Sequence, residues 1–267
     1  MTDWIISDTH LGHNNVVKYE NRNFCLQEED LAALTANGGV WHKGSYRGEG
    51  SSDHVISSRA MEIHDSTIIN EINARVKPSD TLFHLGDFVC GIAEKQYVRR
   101  VSEYRERINC EHIVLVFGNH DLHKEINEPD LIRQCGFQEY HVRLCHPIPS
   151  LGLGKKAKER CLVMDHYPIQ SWMGSHRGWL HAYGHSHGSS ESWRAEHMPH
   201  HRSRDVGVDV IAREKGYYGP IELDEVIYDL TSKEGHATDH HIPTNYDGPT
   251  ERDLAERVNA LVYNRKR

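Results

Sequence analysis

The sequence predicts an α/β layered fold, and three features of its 267 residues carry that prediction. Short apolar runs read as strands, helical periodicities separate them, and the runs end in polar clusters rich in Asp, His, Asn and Gly. Polar clusters at strand ends are where loops held by a rigid scaffold carry a site.

Taken in order, Ile5 and Ile6 run into Ser7, Asp8, Thr9 and His10, and Thr81 to Phe83 run into Gly86 and Asp87. Ile113 to Phe117 lead to Gly118, Asn119, His120 and Asp121, and Leu162 to Met164 lead to Asp165 and His166. Between the first two, Met61, Ile68, Ile69, Ile72 and Val76 recur at helical spacing from about Ser57, and Pro78 with Asp80 ends that helix. Val98, Val101 and Ile108 predict another helix after Gly91. Leu254, Val258, Leu261 and Val262 mark an amphipathic helix within 247–267, with Thr250 and Asp253 spaced as a capping box, expected to dock on the body. The whole chain, 1–267, is expected to form one domain. Residues 37–52 hold five glycines around Trp41, His42, Lys43, Tyr46 and Arg47 and predict a long loop insertion, either a plain surface loop or a lid over substrate. The His-rich stretches 197–204 and 235–241 lack carboxylates at useful spacing and are expected to be solvated loops.

Charged residues make up 26% and hydrophobic ones 37%, an ordinary globular balance, and no apolar run is long enough for a bilayer. The net charge of −8 gives no overall attraction to nucleic acid. Trp4, Ile5 and Ile6 begin a strand where an export signal would stand, and the six cysteines form no paired motif, so reduced thiols and a cytoplasmic location are expected. The 22 histidines are the unusual feature, since histidine is the commonest metal ligand.

Asp8 and His10 stand two apart at a strand end, where period-two alternation would aim both side chains to one side. Asp87 after Gly86 is either a turn cap or a carboxylate projecting into the same crevice. Asn119, His120 and Asp121 gather an amide oxygen, an imidazole and a carboxylate on one turn. His185 and His187, flanked by Gly184 and Gly188, can splay toward neighbouring ions.

Read in order, Asp-x-His, Gly-Asp, Gly-Asn-His-Asp, a single His after a strand and Gly-His-x-His resemble the calcineurin-like metallophosphoesterase superfamily, in its compact bacterial and phage form. The resemblance spans about residues 4 to 210, with Val206 to Asp209 resembling a strand that follows the last motif. It implies a four-layer β-sandwich of two mixed sheets flanked by helices. It places Asp8, His10, Asp87 and His187 on one ion and Asp87, Asn119, His166 and His185 on a second, with Asp87 bridging. The donors are oxygen and nitrogen, which suits Mn²⁺ first and Fe, Ni²⁺ or Zn²⁺ otherwise. Two such ions about 3.5 to 4 Å apart activate a bridging hydroxide for in-line attack on phosphorus. His120 would contact the phosphoryl or leaving oxygen, oriented by Asp121, and His13 is a candidate substrate contact.

The expected substrate is a small phosphodiester, including cyclic or other nucleotides, with phosphomonoesters or short nucleic acids as alternatives. The segment from Gly86 to Gly91 lacks the Asp-Arg-Gly of serine/threonine protein phosphatases, which disfavours that class. A reading of another kind is a non-catalytic, metal-stabilised binding module.

Overall fold

The apolar runs singled out above form strands, and their neighbours complete two mixed sheets in an α/β fold. In the computed structural model the described residues are 1–41, 54–91, 93–121, 133–148 and 160–233. The chain divides into two units, Met1–Ala237 and Thr238–Arg267, and every described residue belongs to the first. The expected helix in 247–267, most of the 37–52 loop and the 235–241 histidines lie outside the described residues.

The first sheet contains β1 (Asp3–Ile6), β2 (Thr81–His84), β3 (His112–Val116), β4 (Glu139–His141) and β9 (Ile221–Glu222). Its order is β4-β3-β2-β1-β9, parallel except for β9 at the edge. The second contains β5 (Arg143–Ile148), β6 (Arg160–Asp165), β7 (Leu180–Tyr183) and β8 (Ser203–Asp205), in that order, with only β5 antiparallel to its neighbour. Parallel pairs need crossovers. Helices α1 (Asn14–Tyr19), α2 (Glu28–Ala36) and α3 (Ser58–Arg75) lie between β1 and β2, and α4 (Tyr97–Glu106) between β2 and β3. Helices α5 (Glu191–His197), α6 (Val208–Lys215) and α7 (Leu223–Ser232) follow β7, β8 and β9.

The predicted helix from Ser57 is α3, and Ser57 caps it by accepting a hydrogen bond from the Ala60 amide. Ile68, Ile69 and Ile72 are its buried stripe. It stops at Val76, as the α region is disfavoured just before Pro78, and Asp80 then accepts bonds from the amides of Thr2 and Lys77 and from Trp4 Nε1. Ile5, Leu82 and Val114 from the first sheet share one buried cluster with Leu162, Met164 and Leu180 from the second. The sheets are also joined by backbone: Ser7, just past β1, bridges in parallel with Gly207, just past β8.

Three expectations are corrected. Val206 to Asp209 does not form a strand, because β8 ends at Asp205 and Val208 opens α6, whose Val208 and Ile211 lie three apart and bury together. Trp41 is not a lid aromatic; its large apolar surface is buried with Val16, Leu34 and Ile56 in a second cluster, and its Nε1 donates to Asn23 Oδ1. Residues 197–204 are not a wholly solvated loop, since Ser203 opens β8 and pairs with His181 of β7, and His201 is buried. All six cysteines are free thiols, five of them buried. Among the described residues no helix is long and apolar enough to cross a membrane.

Candidate metal centre

Every predicted ligand follows the carboxyl end of a strand, the position where open α/β sheets bind ligands. Asp8 and His10 follow β1, Asp87 follows β2, Asn119 follows β3, His166 follows β6, and His185 and His187 follow β7. The loops after β1 and β2 zip together through Asp8 N to Gly86 O, His10 N to Asp87 O and Leu11 N to Phe88 O, at 2.9 to 3.0 Å. Asp8 in turn accepts the His185 amide at 3.0 Å, joining the loops of the two sheets.

The side chains meet in two groups. Asp8, His10 and His187 form one, and Asp87, His166 and His185 the other, each with donor atoms within 4.8 Å of one another. Asn119 belongs with the second, its Oδ1 lying 3.0 Å from His166 Nε2 and 2.9 Å from His185 Nδ1. Asp87 stands between the groups: its Oδ2 is 3.5 Å from His10 Nε2 and 3.5 Å from His166 Nε2.

The convergence of Asp8 and His10 does not come from strand alternation. Asp8, His10, Asp87, His185 and His187 all have positive φ, at 57°, 48°, 54°, 66° and 46°, so each is bent inward in the left-handed region. That region is uncommon for residues with a Cβ, and such strain gathers at functional sites. Gly86 and Gly184 allow the close approach of backbones. A Cβ on Gly86 would strike the Gly118 backbone and His166 Nδ1, and one on Gly184 would strike the Ser7 and Asp8 side chains.

The electrostatics fit a cation. His10 is 3% exposed, and neither ring nitrogen has a hydrogen-bond partner among the described residues. Burial, against the pull of His187 and His166, raises the Asp8 carboxyl to about 7. Burial is also the main cause that pulls His10 well below the usual imidazole range. A buried carboxyl beside buried imidazoles with free lone pairs is a donor set that a hard or borderline divalent ion satisfies. His166 presents Nε2 inward because its Nδ1–H donates to Leu85 O at 2.8 Å.

His187 is oriented likewise: its Nδ1–H donates to Asp209 Oδ2 at 2.7 Å. Asp209 is gripped at both oxygens by the fully buried Arg22, at 2.8 and 2.7 Å. Arg22 also donates to the carbonyls of Asp8 and Thr9 and to His64 Nε2. His64 Nδ1–H donates to Asp65, which accepts from Tyr104 OH and the Gly12 amide. Asp205 holds the same loop, between and beyond its two histidines, by accepting from Ser186 Oγ and the Gly188 amide.

Sequence reading missed this support. Arg22 sits between two asparagines with no pattern around it. His64 and Asp65 did carry a signal, because Met61, Ile68 and Ile72 place them on the apolar stripe of α3, where a polar pair requires buried partners.

His120 lies at the centre's open side, its Nε2 4.0 Å from Asp87 Oδ2 and its side chain exposed, as are Asn119 and His185 among the ligands. Asp121 was expected to orient it, but its carboxylate accepts the amides of Asp87, Phe88 and Gly118 at 2.7, 3.1 and 2.9 Å. The atom beside His120 Nδ1 is Cys90 Sγ, at 3.3 Å. His13 is drawn in, its ring 5.4 Å from that of His10 and 6.2 Å from that of His120.

No family model matches the chain. Over 224 residues it is 25% identical to an uncharacterised protein of Methanocaldococcus jannaschii, covering 84% of this chain and 88% of the relative. Among solved structures it is similar to a protein of unknown function from Aquifex aeolicus, with TM-score 0.45 and 19% identity over 85% of this chain and 98% of that one. It is similar to the nuclease MPE of Pseudomonas putida with TM-score 0.27 and 17% identity over 69% of this chain and 60% of that one. At these levels the likenesses assign no activity, and function is read from the centre itself.

Proposed function

We propose that the chain is a metal-dependent phosphoesterase acting on small phosphodiesters, among them nucleotides, in a single metallophosphoesterase domain whose two sheets and flanking helices stack as a four-layer sandwich. One observation carries this reading: Asp87 Oδ2 lies equidistant, at 3.5 Å, between imidazoles of two separate donor groups. A carboxylate so placed would serve both groups if each held a cation. Asp8, His10, Asp87 and His187 would hold one ion and Asp87, Asn119, His166 and His185 the other, with Mn²⁺ the first choice. A divalent pair held there would supply a water of lowered pKa and positive charge to neutralise phosphoryl oxygens in the transition state.

The protein's own groups supply the rest. Left-handed backbone at five ligands and the Arg22 to Asp209 grip keep the donors fixed before substrate arrives, which lowers the reorganisation needed during reaction. His120, on the open side, is placed to donate a proton to the leaving oxygen or to stabilise a phosphoryl oxygen. His13, flanking both His10 and His120, lines the approach of the phosphate.

Chromogenic mono- and diesters assayed side by side with Mn²⁺ test the substrate class. Faster diester turnover is expected, and a strong monoester preference would overturn the diester reading. Asp87→Asn is expected to abolish turnover and weaken metal binding by about 10- to 100-fold, measured by metal analysis after dialysis. Retained hydrolysis in that variant would contradict the bridging role.

A further inference from the structure

Cys90 is one residue of the centre that the two-ion reading does not use. It is buried, and its amide donates to Leu11 O at 3.3 Å, which holds it opposite the loop carrying His10. Donor atoms of His10, Cys90 and His120 all lie within 4.8 Å of one another. The thiol and His120 Nδ1 are already at 3.3 Å, close to the separation of two donors on one ion. The His10 and His120 rings are 5.4 Å apart, edge to face. A second observation points to a ligand at His10, which the Asp8 and His187 group shares: its ring is more than nine-tenths buried, and both of its nitrogens lack a hydrogen-bond partner among the described residues.

We infer that His10, Cys90 and His120 form a further cation position, selective for a thiophilic divalent ion such as Zn²⁺ or Cd²⁺. Nitrogen and oxygen sites already bind Zn²⁺ more tightly than Mn²⁺, and a soft sulfur donor widens that preference for Zn²⁺ and Cd²⁺. On binding, the S–H bond of Cys90 breaks, a sulfur–metal bond forms, and the proton leaves to solvent, as a coordinating thiol is deprotonated by its ion. The ion takes His10 from the Asp8 and His187 group and ties up His120. Thiophilic ions therefore inhibit the enzyme from within its own centre, a consequence that rests on the phosphoesterase reading, while the site itself does not.

The test is a titration of the full-length, Mn²⁺-loaded protein with Cd²⁺, following the ultraviolet thiolate-to-cadmium charge-transfer band. The native protein should show a saturable band equivalent to one thiolate per chain. Cys90→Ser should lose it. His120→Ala, whose ring is 43% exposed so that its loss does not open the core, should keep the band but bind Cd²⁺ about tenfold more weakly. No band in the native protein, an undiminished band in Cys90→Ser, or unchanged Cd²⁺ affinity in His120→Ala each overturns the proposal. In a parallel assay, half-inhibition of each protein's own Mn²⁺-dependent rate should need about tenfold more Cd²⁺ in Cys90→Ser than in the native chain. Equal sensitivity would overturn the inhibitory role. Absence of ester hydrolysis from native protein would instead overturn the phosphoesterase reading, with the spectral titration still deciding the site.

Discussion

At Asp121 two loops of the centre meet on one carboxylate, which accepts backbone amides from the β2 loop and from its own turn. Asp121→Asn replaces one acceptor oxygen by an N–H that faces other N–H groups. It should lower stability by about 2 kcal/mol in denaturant unfolding. His120→Ala should act differently, reducing turnover by about 10²- to 10⁴-fold while Mn²⁺ occupancy stays near native, because its imidazole flanks Asp87 at 4.0 Å without being one of the seven predicted Mn²⁺ ligands. Loss of both turnover and metal in His120→Ala would make it a structural residue. The identities of these side chains were plain in the sequence, but their division of labour was not. Asp121 follows His120 directly and reads as its partner; only the folded turn shows its oxygens committed to amides and Cys90 beside the imidazole.

The elements contribute rigidity through a buried polar chain linking the loop after α1, α3 and α6. Arg22 is the pivot, fully buried and bonded to Asp209, two loop carbonyls and His64. Removing one member of a buried pair leaves the other charge uncompensated. Arg22→Met should therefore cost about 3 to 5 kcal/mol, and the double replacement with Asp209→Leu should recover a large part of it, as measured by chemical denaturation of all four proteins. A double variant no more stable than Arg22→Met would contradict this coupling. The helices that carry this network were unevenly legible. The helical spacing of apolar residues from about Ser57 and the stop at Pro78 announced α3, whereas α1, α2, α6 and α7 are short and their apolar residues are shared with strands or second clusters. Short helices take most of their stability from packing, which local pattern does not encode.

Across the whole molecule, the fold keeps some histidines neutral in the core, and this gives a pH signature outside the centre. Burial, the largest cause, lowers His181 on β7 from 6.5 to about 4. Between those values the unfolded chain binds a proton there that the folded chain does not. Stability from this residue is thus intact above about pH 6.5, is lost as pH falls, and levels off below about pH 4. The slope is about 1.4 kcal/mol per pH unit, about 3 kcal/mol in all. His181→Phe should flatten the fall in denaturation free energy between pH 6.5 and 4 relative to the native chain, whatever its stability at pH 8. An unchanged slope would show that His181 is protonated in the folded protein.

What the sequence determined by itself was local: the apolar runs of β1, β2, β3 and β6, the long helix α3, the polar tails holding Asp8, His10, Asp87, Asn119 and His166, and the Gly-His-x-His motif holding His185 and His187. These are legible because strand and helix periods, caps and glycine turns act over a few residues. Tertiary structure alone decided which tails meet, that Asp87 lies midway between two donor groups, and that Arg22 reaches Asp209 across 187 positions. The reason is physical. Those choices depend on parallel pairing between distant strands and on burial of charge, and a buried guanidinium finds its carboxylate only after the sheets have packed around both.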